Sequence, residues 1–538
     1  GTAIGIYGER DSTIENSGVI NIHRDTYTDS ETGIKYNPLS TKGGVAYGIY
    51  AESGARVVNT GDITITGAGA GKGIHLEDGA TLENSGNVRF NGEEQNPAEN
   101  TGVPSMVNLN EIGGEIILGK GGHFFADELR GDMGVSEKVV LGSFENEYVV
   151  DSALHSDNIS GLNVYSKSAM FEADTRANDN GGADVVLSRK NLNTLLTDRN
   201  LGEFFEDNYE QKNGAAIYDV LKKAGDETAL NEKAANLSGA DVLPNFRREN
   251  ALVYRHLSKQ FDDNLFNRPD ENYIGGYKYI DVSMDKDGTL TGSDGKVNAA
   301  YGMLKGKTDS GVVYGLGATI ANLKSDYDNG ANRKSNIFGL WAPVGYDFNN
   351  GTQWYSKFYA GYADGSYDRK TELGKFSADV TEYQYGISNE LRHKMNLGNG
   401  FSFQPLAELN LLGIYQDGAK EGKALGALQL DSGNSLSLEG GLGAYLSKEM
   451  IFDNDNKLGI QIGGVYYVEF LDPDDGVDAR MQGMNGKFRL KNKAQDDRAV
   501  FSLRADYTYK DLMLYAVIEQ ETGGNKAFSI DTGVQYKF

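Results

Sequence analysis

The sequence contains no cysteine, so neither a disulfide framework nor a thiolate metal site is open to it. Only 6 histidines are present, and they are scattered, which leaves little for zinc. No run of about 18 apolar residues occurs, so no transmembrane helix is expected. That absence leaves a transmembrane barrel open, because a barrel strand needs only about ten alternating residues. A charged-then-apolar leader is lacking before Gly1, so the chain reads as a fragment or a processed product. Positive charge is in deficit: 52 Lys and Arg stand against 77 Asp and Glu, a net charge of -25. A nucleic-acid binder shows a basic face, so that class is disfavoured. The acidic balance favours solubility and weak adhesion to anionic surfaces. Proline is sparse at 8, whereas glycine reaches 70 and tyrosine 31. Such a mixture suits strands joined by tight turns.

Three units repeat near the N-terminus. Gly5-Ile6-Tyr7 leads to Asn16-Ser17-Gly18, Gly48-Ile49-Tyr50 to Asn59-Thr60-Gly61, and Gly73-Ile74-His75 to Asn84-Ser85-Gly86, with the same Gly-to-Asn spacing each time. Each then enters an alternating strand: Val19-Ile20-Asn21-Ile22, Asp62-Ile63-Thr64-Ile65 and Asn87-Val88-Arg89-Phe90. Fixed-period repetition of short strands indicates a solenoid. Gly and Asn at the corners suggest a parallel β-helix over residues 1–100, with Asn16, Asn59 and Asn84 bonding from rung to rung. Residues 24–42 read as an inserted loop. Residues 101–190 keep short strands but lose the repeat, and are placed to cap the stack.

Near Asn191 the spacing becomes helical. Leu192, Leu195, Leu196, Phe204, Phe205 and Tyr209 begin a helical linker over 191–245. After Pro244, residues 246–270 hold a helix about 30 Å long. It carries Arg247, Arg248, Arg255 and Lys259 among other charges, so it would cross a membrane only inside a pore. From about 271 to Phe538 the period is two, in twelve segments. The last places Phe528, Ile530, Val534, Tyr536 and Phe538 on one face and Ser529, Asp531, Gly533, Gln535 and Lys537 on the other. Connections alternate short and long, the long ones expected at 285–296, 325–333, 368–376, 417–434 and 472–497. Glu390, Glu408, Glu439, Glu469, Arg504 and Asp506 fall on the polar faces, and such charges cannot fill a dry core unpaired. They imply a wet lumen around a basic helix.

The order of stem, cap, helical linker, polar helix and twelve strands ending in phenylalanine resembles the monomeric (type Va) autotransporters over nearly the whole chain. Ala234-Ala235-Asn236-Leu237-Ser238-Gly239 resembles the Leu-Ser-Gly element before that family's barrel, although Ala240 intervenes before the acidic Asp241. The resemblance implies a mainly β fold: a right-handed parallel β-helix stem, an α-helical linker and pore helix, and a 12-stranded antiparallel transmembrane β-barrel. It implies a bacterial outer-membrane translocator that displays its own passenger, with residues 1–190 at the cell surface as the base of an adhesin. Val534, Tyr536 and Phe538 become a signal for the barrel-assembly machinery. Other implied partners are outer-membrane lipid, periplasmic chaperones and, through missing passenger, receptors on host or bacterial cells. A monomer without cofactor is expected. A porin-like channel, or the anchor of an enzyme domain outside this fragment, stays open. Some family members cleave themselves at an Asn-Asn pair in the pore helix. Asn245, Asn250 and Asn264 are not adjacent, so no such cleavage is expected here.

Signals for catalysis are poor. No Gly-x-Ser-x-Gly elbow occurs, and Gly67–Gly73 lacks the Ser or Thr of a phosphate loop. The acidic loops at 285–288 and 472–476 do not match a calcium loop. Arg130-Gly131-Asp132 matches an integrin tripeptide that chance supplies often. No catalytic, cofactor or metal residue is assigned, and no enzyme is expected in these 538 residues.

Overall fold

The computed structural model describes residues 3–24, 27–28, 35–36, 46–67, 73–91, 105–179, 181–259, 261, 264–265, 272–348, 350–452, 456–471, 476–491, 497–523 and 525–538. Most of the loop expected at 24–42, the interior of the 67–73 glycine run, most of the 472–476 loop and the helix tail beyond Leu265 lie outside them. The chain forms two compact units, residues 1–233 and 234–538.

In the first unit the repeats pair in parallel. Ala3–Gly8 aligns with Ala46–Ala51 and that with Ile74–Asn84, matching Ile6 to Ile49 and Ile49 to Ile74. Val19–Arg24, Asp62–Gly67 and Asn87–Asn91 pair likewise in a second sheet. Alternation buries Val57, Ile63, Ile65, Leu82 and Val88, which drives the stacking. The Asn corners form a ladder: Asn16 donates to Asn59 at 2.8 Å, Asn59 to Asn84 at 2.7 Å, and Asn84 to the His123 carbonyl at 3.1 Å. The glycine two residues later is needed because the rungs touch. A Cβ at Gly61 would lie 2.1 Å from the Gly18 carbonyl oxygen, and one at Gly86 equally close to that of Gly61.

Parallel pairing outlasts the sequence repeat. Gly113–Leu118, Glu128–Val135 and Asn158–Ser166 extend the first sheet, and His123–Phe125 and Glu147–His155 the second. Inward Leu118, Leu129, Met133 and Leu154 keep the alternation while the Asn-x-Gly corner is replaced. Phe171–Ala177 and Ala183–Arg189 close the stack antiparallel. The segment expected as a linker is instead packed against this end. Arg189 grips Glu206 with bonds of 2.6 and 2.8 Å, Tyr209 donates to the Glu145 carbonyl at 2.8 Å, and the buried Lys222 ammonium donates to the Val140 carbonyl at 2.8 Å. Helices Leu192–Leu195, Arg199–Glu210 and Ala215–Lys222 therefore belong to the first unit.

The second unit is a closed antiparallel barrel. Its twelve strands are Asn272–Met284, Ser293–Lys307, Val312–Tyr327, Asn332–Asp347, Thr352–Thr371, Gly374–His393, Phe401–Gln416, Gly433–Ile451, Asn456–Glu469, Arg498–Tyr509, Leu512–Thr522 and Asn525–Lys537. The first strand pairs with the last, Tyr273 opposite Tyr536, so no edge is left. Apolar side chains point outward: Leu442 is 72% exposed, and Leu304, Leu316, Ile320 and Ile462 are exposed too. No helix among the described residues is long and apolar enough to cross a membrane. Two expected long loops are absent, and that at 325–333 is a four-residue connection between Tyr327 and Asn332. At 368–376 the fifth and sixth strands pair out to Thr371 opposite Gly374, leaving a two-residue turn on a projecting hairpin. The 417–434 and 472–497 connections instead build a small sheet from Ala419–Lys420, Leu428–Leu430, Val477–Met481 and Phe488–Leu490.

Candidate functional site: the helix inside the barrel

The helix Leu243–Lys259 runs through the barrel lumen. Its start lies at the long-loop end, where Asn245 donates to the Thr291 carbonyl at 2.8 Å. Its continuation reaches the short-turn end, where Lys305 and Tyr355 donate to the Asn264 and Leu265 carbonyls at 3.1 and 3.2 Å. The Leu-Ser-Gly element forms the bend before it. Gly239 has φ +72°, a conformation that favours glycine, and an added Cβ would press on Leu243 and Leu428. Buried Asp241 accepts from Asn236 and Asn329 at 2.9 and 2.8 Å.

One helix face is apolar. Leu252, Leu257, Phe261 and Leu265 join Ile274, Ile280, Val282, Val297 and Met303 in one buried cluster. Phe261 packs 5.8 Å from Trp341, which stacks on Tyr359 at 4.6 Å. The wet lumen expected from the sequence is thus corrected in part: much of the wall formed by the first strands is apolar.

The rest of the lumen is charged, with Lys278 reaching in from the first strand, and most of its charges meet opposite ones. Arg255 lies 3.2 Å from both Glu439 and Glu469. Arg498 links Glu439 at 2.7 Å to Glu521 at 2.8 Å, and Lys278 meets Glu519 at 2.6 Å. His256 sits between Glu519 and Glu521 at 3.6 and 3.1 Å. Among the other cations singled out from the sequence, Arg247 bonds Gln416 at 3.3 Å, Arg248 bonds Asn525 at 2.8 Å, and Lys259 reaches the Tyr467 hydroxyl. Sequence reasoning counted Glu249 among the helix charges but gave it no role. Glu249 is fully buried, 3.6 Å from Arg333, and accepts from Ser325 and Tyr327. Asn250, considered from the sequence only for self-cleavage, donates to Glu382, itself bonded by Arg333 at 3.3 Å. Pairing on this scale is what buried charge requires. Beside Arg255, Lys259, Lys357 and Glu408 lies a cavity of about 40 Å³, room for a few waters at most.

Above the helix start, the small sheet turns Leu428, Leu430, Val477, Ala479, Met481, Phe488 and Leu490 inward. Fully buried Arg369 ties this cover down. It bonds Glu421 in a fork at 3.0 and 2.8 Å and donates to the Asn236 and Leu237 carbonyls at 2.7 and 3.1 Å. Those carbonyls end the helix Glu227–Ser238, where a cation is favoured.

The remaining sequence candidates sit elsewhere. Val534 and Tyr536 face outward on the last strand, and Phe538 follows it, 65% exposed. The Asp132 carboxylate of the integrin-like tripeptide is engaged by Asn110 at 3.0 Å and Asn163 at 2.8 Å on a strand rather than at a free loop tip. No group of acidic and histidine side chains among the described residues could hold a metal ion.

The family matches agree with this architecture. Residues 271–517 match the autotransporter β-domain family, and residues 1–117 match the third pectate lyase-like domain of BigA. Similar solved structures include the translocator domain of the autotransporter NalP from Neisseria meningitidis, 15% identical with a TM-score of 0.45, covering 57% of this chain and 100% of that one. The β-domain of the Bordetella autotransporter BrkA is 15% identical, TM-score 0.39, covering 50% and 100%. The transport unit of AIDA-I from Escherichia coli is 12% identical, TM-score 0.39, covering 52% and 98%. No curated protein matches the chain.

Proposed function

This chain is an autotransporter whose β-domain forms a barrel in the outer membrane, and from that premise we propose that it anchors and displays its own N-terminal region at the cell surface. The observation that carries the reading is the helix direction. Residue 243 lies at the long-loop end, and outer-membrane barrels keep their longer loops outside. Everything before it therefore emerges outward, and the helix stays behind as a plug held by its two unlike faces. Residues 1–190 serve as the base of an adhesive or structural passenger, without catalysis of their own. The match to a pectate lyase-like domain and the parallel stack support a stem that projects a binding tip.

The barrel-assembly machinery and periplasmic chaperones are the partners during biogenesis, reading the outward Val534 and Tyr536 and the exposed Phe538, and the mature barrel is a monomer. The chain stays uncut within 245–268, because Asn245 and Asn250 are held in side-chain bonds and have no adjacent asparagine. The test is protease treatment of intact cells. Residues 1–190 should be digested while a heat-modifiable C-terminal fragment survives. Protection of the N-terminal residues until the cells are broken would reject display. A porin reading requires open-pore conductance with the helix present, which the helix held across the lumen by its ion pairs disfavours.

A further inference from the structure

The outer wall of the barrel carries an arrangement that folding alone disfavours. Lys296, Lys324 and Lys334 lie directly opposite one another on three adjacent strands, and all three are exposed. Like charges in register across a sheet repel. No ion-pair partner relieves them among the described residues. Exposed Asp294 and Asp326 form the next row, on the loop side of the lysines, out in solvent.

On the opposite side of the lysines the surface changes in two steps. First comes a row of Asn298, Asn322 and Asn336, with Asn322 donating to Asn336 at 3.0 Å. Then comes a continuous apolar rung, Tyr277–Ala300–Ile320–Phe338–Tyr362–Tyr383–Tyr415. Such an aromatic girdle marks the membrane interface. The rung has one small member, Ala300, and there the surface is hollow. A depression of about 510 Å³ opens between Tyr277, Ile320, Phe338 and Tyr362. The lysine row stands four residues further along the same strands, about 13 Å of chain.

The geometry points to a binding site for a phosphorylated lipid of the outer leaflet, its acyl chain in the Ala300 hollow and its phosphate on the lysine row. Two features converge on that occupant. The hollow is mainly apolar and lies level with lipid tails, with Asn298, Asn322, Asn336 and the exposed Asp364 along its edge toward the lysines. The unpaired cations lie just beyond the girdle, level with headgroups. A soluble anion has no use for the hollow, and a neutral lipid has none for the lysines. Placement in the outer leaflet rests on the long-loop end facing outward; binding itself does not.

The test is native mass spectrometry of the full chain in detergent, with bisphosphorylated lipid A as the probe. One lipid should be retained, and K296Q/K324Q/K334Q should lower its occupancy at least tenfold. The control K394Q/K457Q/K510Q removes equal charge from the short-turn mouth and should bind as wild type. Lipid A stripped of phosphate should bind as weakly as the triple variant does. Ala300→Trp fills the hollow and provides a second variant, each being checked for heat-modifiable mobility. Undiminished binding by both variants would overturn the site. So would equal loss in the control, or displacement of the lipid by inorganic phosphate at equal concentration. Because binding is read in detergent, a barrel of the opposite orientation would not imitate any of these outcomes.

Discussion

The stem and the barrel alternate polar and apolar residues with the same period, yet they turn opposite faces inward. In the stem, Val57, Ile63 and Leu82 are sealed inside and carboxylates such as Glu52 and Glu77 sit on the surface. In the barrel, Leu442 and Ile462 point out while Glu439, Arg498 and Glu521 are buried. Period two fixes only that the faces differ. The surrounding solvent decides which face goes where. Water expels the stem's aliphatic residues, whereas lipid accepts the barrel's and leaves its polar groups to satisfy one another. The stem is held by non-directional burial plus one asparagine ladder. The barrel interior is held on one side by burial and on the other by a charge network that works only when complete.

The largest effect should come from breaking that network. Arg498→Met leaves Glu439 and Glu521 buried without their shared guanidinium, and should cost about 3–5 kcal/mol of barrel stability. The urea concentration that abolishes heat-modifiable gel mobility reports it. Adding Glu439→Gln and Glu521→Gln should restore much of the loss, because the penalty lies in the stranded charge. Failure of that rescue would mean Arg498 acts by packing on Tyr467, 4.0 Å below it.

A matched pair of surface substitutions tests the comparison directly. Leu442 is 72% exposed in the barrel and Val19 is 67% exposed in the stem. Leu442→Arg should cost about 2–4 kcal/mol in a bilayer, because its exposure is to hydrocarbon. Val19→Arg should stay within about 0.5 kcal/mol, because its exposure is to water. Equal effects would erase the distinction between the two environments.

Much of this was legible in the residues. The Asn-x-Gly corners announced parallel rungs because backbone contact at Gly61 and Gly86 forbids a side chain there. The last strand announced lipid on one face because Phe528, Ile530 and Tyr536 alternate strictly with polar residues. Elsewhere the pattern was mute. On Ser293–Lys307 the outward face holds Lys296, Asn298, Ala300 and Gly302, so the inward Val297 and Met303 did not declare an apolar wall. Continuation of the parallel stack to Ser166 was hidden because other corners replace asparagine there. The helices after Asn191 read as a linker because their partners, the Glu145 and Val140 carbonyls, are backbone groups that leave no mark on side-chain identity. Partnerships inside the barrel were hidden for a related reason. Asn250 and Glu382 lie 132 residues apart and meet only through barrel closure.

The smallest expected effect concerns a place where the stem resembles the barrel. Glu83 is buried, and it accepts from Ser136 at 3.2 Å, from Lys138 at 2.9 Å, and from Arg56. Burial alone would raise its pKa, but bonds from Lys138 and Arg56 outweigh that and hold the carboxyl below the ordinary glutamate value. A carboxylate depressed on folding adds stability that is present above its unfolded pKa, about 4.3, and is lost as pH falls through the folded value. The stem should therefore lose stability below about pH 4. Glu83→Gln should melt lower at neutral pH and lose less on acidification. Both cations are nearly half exposed, so solvent and salt should weaken the effect. Calorimetry of the full chain separates the two units, because both tryptophans, Trp341 and Trp354, lie in the barrel. The transition without a tryptophan fluorescence change belongs to the stem. If that transition shifted equally with acid in wild type and Glu83→Gln, the clamp would have no part in holding the stem.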